Sequence, residues 1–269
     1  MRYNVYSHEE ALTRSAAADL DHVLVSIPSV KSALGMGGWI CGGFARHLLL
    51  DRESHVYLRP NSEETPCGDV DVFFNDHATA VAATPVGVRK SLAGFAKELN
   101  DGVKIQFVDD PDLIKPTIEE TLSSFDIVNC RVAINERYVV IPEGWRELEA
   151  SKLLQIGRND TPFLGGRLLK YLNHRGLEGL TDDSYEALTG WLAHAAGDFK
   201  EGGWDENHIS GVKGHVKKLR ARGLVGREDL IFFISKWKEI IREGRYGESF
   251  TYEVDWALNE LRIGPTEEV

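Results

Sequence analysis

Two carboxylates, Asp69 and Asp71, stand two positions apart in the run Asp69-Val70-Asp71-Val72-Phe73-Phe74. Side chains alternate faces along a strand, so both acids point one way while Val70, Val72 and Phe74 point the other. Like charges side by side repel each other and lose hydration. They are comfortable only with a cation between them, and hard oxygen ligands suit Mg²⁺. About two dozen residues earlier comes Gly42-Gly43-Phe44-Ala45-Arg46. It supplies what a metal-bound triphosphate also needs: a backbone free to approach closely and a nearby cation. Taken singly, each segment has a plain structural reading, a tight turn with a surface arginine or an edge strand with a solvated acidic face. Together, and in this order, they point to chemistry on a phosphoanhydride. Phe73, on the same face as the two acids, suits a lined cleft better than open solvent.

The elements that must position these residues can be read from local signals. Ser7 and Glu10 have capping-box spacing, which predicts a helix to about residue 27, ended by Pro28. Trp39-Ile40-Cys41 reads as a short apolar strand, Gly42-Gly43 as a turn, and 44–50 as a helix with Leu48 and Leu49 buried. Residues 51–66 are polar, carry Pro60 and Pro66, and read as a loop. A strand over 70–74 follows, then a helix over 91–99, an alternating strand over 103–108 and a short helix over 117–122. Stretches 127–134 and 137–141 read as a hairpin around Asn135-Glu136. After Pro142 the pattern turns helical, at about 143–155, 161–174, 183–198, 209–222, 227–242 and 251–261. The expectation is an α+β fold: an α+β head over 1–142, then an all-helical region over 143–269.

The whole chain bounds this reading. At 269 residues and 42% apolar it can build one large domain or two modest ones. A formal charge of −11 argues against a general nucleic-acid coat protein. Basic residues do gather at Lys213, Lys217, Lys218, Arg220, Arg222 and Arg227. No apolar run approaches the roughly 20 residues of a membrane helix, and no signal-peptide core follows Met1. Three widely spaced cysteines, Cys41, Cys67 and Cys130, fit a reduced cytoplasmic protein without a zinc module. The aromatics Trp191, Trp204, Phe232, Phe233 and Trp237 read as tail core.

The paired segments resemble the nucleotidyltransferase superfamily, in particular the head domains of CCA-adding enzymes and bacterial poly(A) polymerases. Their pattern is Gly-Gly-x-x-Arg on a strand-turn-helix, then Asp-x-Asp on the next strand; Gly42, Gly43, Arg46, Asp69 and Asp71 match it. Phe125-Asp126-Ile127-Val128-Asn129-Cys130 looks like a relative of that family's Asp-Phe-Thr-x-Asn-Ala strand, with Asp126 one position away once Asn129 is aligned. The family's Glu-Asp-x-x-Arg base-reading motif is absent.

The resemblance covers about residues 34–141 plus a neck helix, and implies a nucleotidyltransferase-like mixed sheet with flanking helices. It implies Mg²⁺-dependent transfer of NMP from an NTP to a hydroxyl, with two metal ions held by Asp69 and Asp71. It also implies nucleotide contacts from Gly42, Gly43, Arg46 and Asn129. Asp126 is the first candidate for a third catalytic carboxylate, and Asp109 or Asp110 the second. Arg167 and Lys170, three apart on one helix face with His174 beyond, fall where the family's neck helix contacts the incoming nucleotide. The acceptor is an RNA 3′ end such as that of tRNA, a small molecule or a protein side chain. The rival function is a catalytically silent relative that binds nucleotide or a partner.

Overall fold

The computed structural model describes residues 1–50, 69–86, 89–91, 94–98, 104–159, 164–185 and 187–188. The expected loop over 51–66, the helices beyond residue 190 and the basic stretch around Lys213 lie outside the described residues. Packing divides the chain into two units, Met1–Arg146 and Glu147–Val269.

The first unit is α+β. Its strands are β1 (Tyr3–Ser7), β2 (Trp39–Cys41), β3 (Asp69–Phe73), β4 (Arg89–Ser91), β5 (Gly94–Glu98), β6 (Lys104–Phe107), β7 (Ala133–Ile134) and β8 (Tyr138–Pro142). They form one mixed sheet in the order β1-β8-β7-β2-β3-β6-β5-β4. Every neighbouring pair is antiparallel except β3 and β6, which run parallel.

Around the sheet lie α1 (His8–Ala11), α2 (Arg14–Ser26), α3 (Pro28–Gly35), α4 (Gly43–Leu49), α5 (His77–Ala83) and α6 (Ile118–Ser123). The single helix expected before Pro28 is two. The Glu10 carboxylate accepts from the Ser7 N–H and hydroxyl, both at 2.8 Å, and so opens α1. The backbone then turns extended at Leu12, and Thr13 caps α2 by accepting from Ala16 N. Pro28 stops α2 and starts α3, because its fixed φ suits a first helical position.

Alternation along the strands sorts the sheet into two unlike faces. Ile40, Val70, Val72, Ile105, Phe107, Ile134 and Val139 pack with Leu20, Val23, Val30, Leu34, Phe44 and Leu48 of the helices, forming the main core. On the other face a smaller cluster joins Cys41, Ala133 and Val140 to Ile118 and Leu122 of α6. The cover thins toward β3, where Asp69, Asp71 and Phe73 are half-buried.

Two further expectations for this unit need correction. Within the expected 91–99 helix, Ser91 and residues 94–98 are strand: Phe95–Glu98 of β5 pair with β6, and this pairing overrides the helix-forming Ala96, Lys97 and Glu98. The expected 127–134 strand is mostly a 3₁₀ turn, Val128–Cys130, leaving only the two residues of β7. The hairpin itself is present, with the Asn135 side chain accepting from the N–H groups of Arg137 and Tyr138. Strand β1 had no sequence signal of its own.

In the second unit, α7 (Trp145–Ala150) runs across the boundary and α8 (Leu164–His174) lies within it. On α8, Leu164, Leu168, Tyr171 and Leu172 are buried at helical spacing. The all-helical expectation is interrupted by β9 (Leu153–Leu154) and β10 (Gly179–Leu180), which pair in parallel. Among the described residues, no helix is long and apolar enough to cross a membrane.

Candidate active site

Strand β2 ends at Cys41, and the chain reverses at Gly42 into α4. Gly42 has φ 77° and ψ −137°, a left-handed conformation that L side chains resist. Its N–H donates to Val132 O at 3.1 Å, and its carbonyl accepts from Arg46 N at 2.9 Å. Gly43 is already helical, so the need for left-handed backbone falls on Gly42 alone.

The antiparallel register sets Cys41 beside Asp71 and Trp39 beside Phe73. Strand end, turn and acid strand therefore meet at one place. A Cβ built on Gly42 would stand 3.9 Å from Asp71 Oδ2 and 3.4 Å from Phe125 Cε2. The two short segments picked out by residue type are thus in contact across the sheet. Val70 between the acids and Val72 after them are fully buried, while Asp69 and Asp71 are half-buried on the opposite, thinly covered face.

Phe125 closes one side of this place. Its ring lies 5.4 Å from that of Phe73, tilted by 48°. The segment after it is held by Arg131, whose Nε and Nη2 donate to the Phe125 carbonyl at 2.9 and 2.6 Å. Trp145 Nε1 donates to the Asn129 carbonyl at 2.9 Å. Sequence reasoning missed Phe125 and Arg131 as supports of the site. An aromatic and an arginine six positions apart carry no spacing signal.

The other expected site residues fall differently. Arg46 is 3% exposed and Asn129 fully buried, so both are enclosed by protein. Asp126 is 5% exposed, in the irregular stretch between α6 and the 3₁₀ turn. Among the described residues, no group of three or more His, Cys, Asp or Glu is gathered in a way that could hold a metal ion. Neither Asp126 nor Asp109 or Asp110 joins Asp69 and Asp71 in such a group. Asp110 is used locally, its Oδ1 accepting from Asp112 N at 3.0 Å. Arg167 and Lys170 lie on α8 of the second unit, exposed and half-exposed.

The donor set at the acid pair is chemically selective. Asp69 and Asp71 offer hard oxygens that solvent and an ion can reach. The nearby thiol of Cys41 is pushed well above its ordinary range, by burial first and then by the Asp71 carboxylate. An oxygen-only pair suits Mg²⁺ and disfavours zinc.

No family model matches the sequence, and no curated protein matches it. Among solved structures the chain is similar to the Thermotoga maritima CCA-adding enzyme complexed with tRNA, at 14% identity and a TM-score of 0.47, over 97% of this chain and 70% of that one. It is also similar to a CCA-adding enzyme in complex with ATP, at 12% identity and a TM-score of 0.49, over 97% and 73%. A complex of CCA-adding enzyme with CTP is similar at 14% identity and a TM-score of 0.46, over 96% and 72%.

Proposed function

We propose that the first unit is a Mg²⁺-dependent nucleotidyltransferase that moves NMP from an NTP to a hydroxyl acceptor. The observation that carries this reading is the meeting of Asp71 with the Gly42 turn. A phosphate chain lying along a glycine turn has its α-phosphorus within reach of a metal-binding acid pair. The acceptor oxygen attacks the α-phosphorus and forms a new P–O bond. The bond from that phosphorus to the α–β bridging oxygen breaks, its electron pair leaves on pyrophosphate, and the hydroxyl proton passes to water.

Asp69 and Asp71 are the residues that would hold the metal. Bound Mg²⁺ supplies charge neutralisation for the transferring and leaving phosphates. Gly42 and Gly43 give the phosphates a side-chain-free approach. Arg46 and Asn129, being enclosed, act by fixing the turn and the 125–131 segment behind it. Phe73 and Phe125 line one side of the acid pair with apolar surface. The protein works in the cytoplasm, where its thiols stay reduced.

Incubation with each α-labelled NTP and Mg²⁺ in a cell extract tests this. Label should pass to one class of acceptor, RNA 3′ ends, a small molecule or a protein, and the γ-labelled NTP should leave none. NTP binding without any transfer of label is the result expected of a catalytically silent relative, and it would overturn the transferase reading.

A further inference from the structure

Lys104 opens β6, and the parallel register places it beside Asp69, just as it places Gln106 beside Asp71. Register partners on adjacent strands, about 4.8 Å apart, send their side chains to the same face. The alternate residues Ile105 and Phe107 are fully buried on the other face, which fixes the direction. Lys104, Asp69, Gln106 and Asp71 therefore form a two-by-two block on the thinly covered side of the sheet. Lys104 is exposed, whereas Arg46, the cation expected to meet the phosphates, is enclosed.

We propose that Lys104 is a triphosphate-binding residue, contacting the phosphates that leave as pyrophosphate. The inference rests on the nucleotidyltransferase reading of the acid pair. Two carboxylates beside a polyphosphate repel it, and one Mg²⁺ does not cancel all the charge of an NTP. A lysine ammonium on the same face is a compact cation on a flexible four-carbon stem, suited to following a mobile phosphate tail. Charge-assisted hydrogen bonds to phosphate oxygens are among the stronger polar contacts. Lys104 lies beside Asp69, at the same end of β3 toward which β2 runs out into the Gly42 turn. The competing role is electrostatic within the free protein, where Lys104 only offsets the repulsion between Asp69 and Asp71.

The test is calorimetric titration of the full chain with each Mg·NTP, with Mg·pyrophosphate and with NMP, for wild type, Lys104→Gln and Lys104→Arg, with a melting curve on each. Lys104→Gln should weaken NTP and pyrophosphate binding about tenfold or more. The loss should be equal for ATP, CTP, GTP and UTP, and NMP binding should stay as in wild type. Lys104→Arg should recover most of the affinity. Equal NTP affinity in wild type and Lys104→Gln overturns the assignment, and a lowered melting temperature with that result leaves Lys104 as a charge-balancing residue only. A wild-type protein that binds no NTP overturns the nucleotidyltransferase reading itself, and the role of Lys104 with it.

Discussion

The rings of Phe73 and Phe125 are tilted against each other at 5.4 Å, tying the acid strand to the segment that follows α6. Phe125 is also the nearest neighbour of a Cβ built on Gly42. Truncating Phe125 should therefore loosen turn and strand together. Phe125→Ala should cost about 1–3 kcal/mol, less than a fully buried phenylalanine because Phe125 is half-buried. Urea unfolding followed by circular dichroism measures it, and a loss under a few tenths of a kcal/mol would show that the pair supports nothing.

The two glycines of the turn should part company. Gly42→Ala forces a side chain into φ 77° and should cost about 1–2 kcal/mol. Gly43→Ala sits on helical backbone and should leave the melting temperature unchanged or raise it. Gly43→Val should weaken NTP binding more than folding, since its bulk meets the phosphates. Melting curves and titrations on all three variants check this pattern.

Asp71→Ala should abolish transfer and leave the fold intact. Removing one of two neighbouring carboxylates relieves repulsion, so metal-free stability should hold or rise. Transfer near the wild-type rate would rule out a metal-binding role for the pair.

Arg46→Ala should act on folding. A buried arginine exchanged for alanine loses its packed stem and the polar contacts of its head, about 1.5–3 kcal/mol. The NTP affinity of the folded fraction should be nearly unchanged. A stable variant whose affinity for all four NTPs falls together would instead make Arg46 a phosphate ligand.

Glu10 should give the head an acid-sensitive contribution. The Ser7 backbone N–H and then its hydroxyl hold the Glu10 carboxyl below its ordinary value of 4.5. A lowered folded-state pKa means stability that is present above about 4.5 and lost as pH falls through the folded value. Glu10→Gln should melt lower than wild type at neutral pH. The gap should close as the pH drops below 4.5, as paired melting curves across that range would reveal.

The site was legible where local chemistry and sheet position agree. Trp39–Cys41, the Gly42 turn and Asp69–Phe73 each carry their own signal, strand alternation or a glycine that only a turn explains. The capping residues Ser7 and Thr117 likewise mark the starts of α1 and α6. What could not be read depends on distant partners. Residues 94–98 are strand because β6 lies beside them, and β9 exists only because Gly179–Leu180 pairs with it. Arg46 reads as a surface cation beside a turn. It is buried because every residue of α4 from Phe44 to Leu49 is enclosed, a property of the surrounding core and not of the motif.

Among the described residues, strand β1 lies at the sheet edge and pairs with β8 alone, Tyr3 opposite Pro142 and Ser7 opposite Tyr138. During synthesis Tyr3–Ser7 must wait for its partner, which appears more than a hundred residues later. At roughly 5–20 residues per second, that is a wait of several seconds. The partners of the acid strand, β2 and β6, are both available sooner. On the ribosome the half of the sheet that carries Asp69 and Asp71 can assemble first. The edge strand then docks last, as a latch on a centre already built.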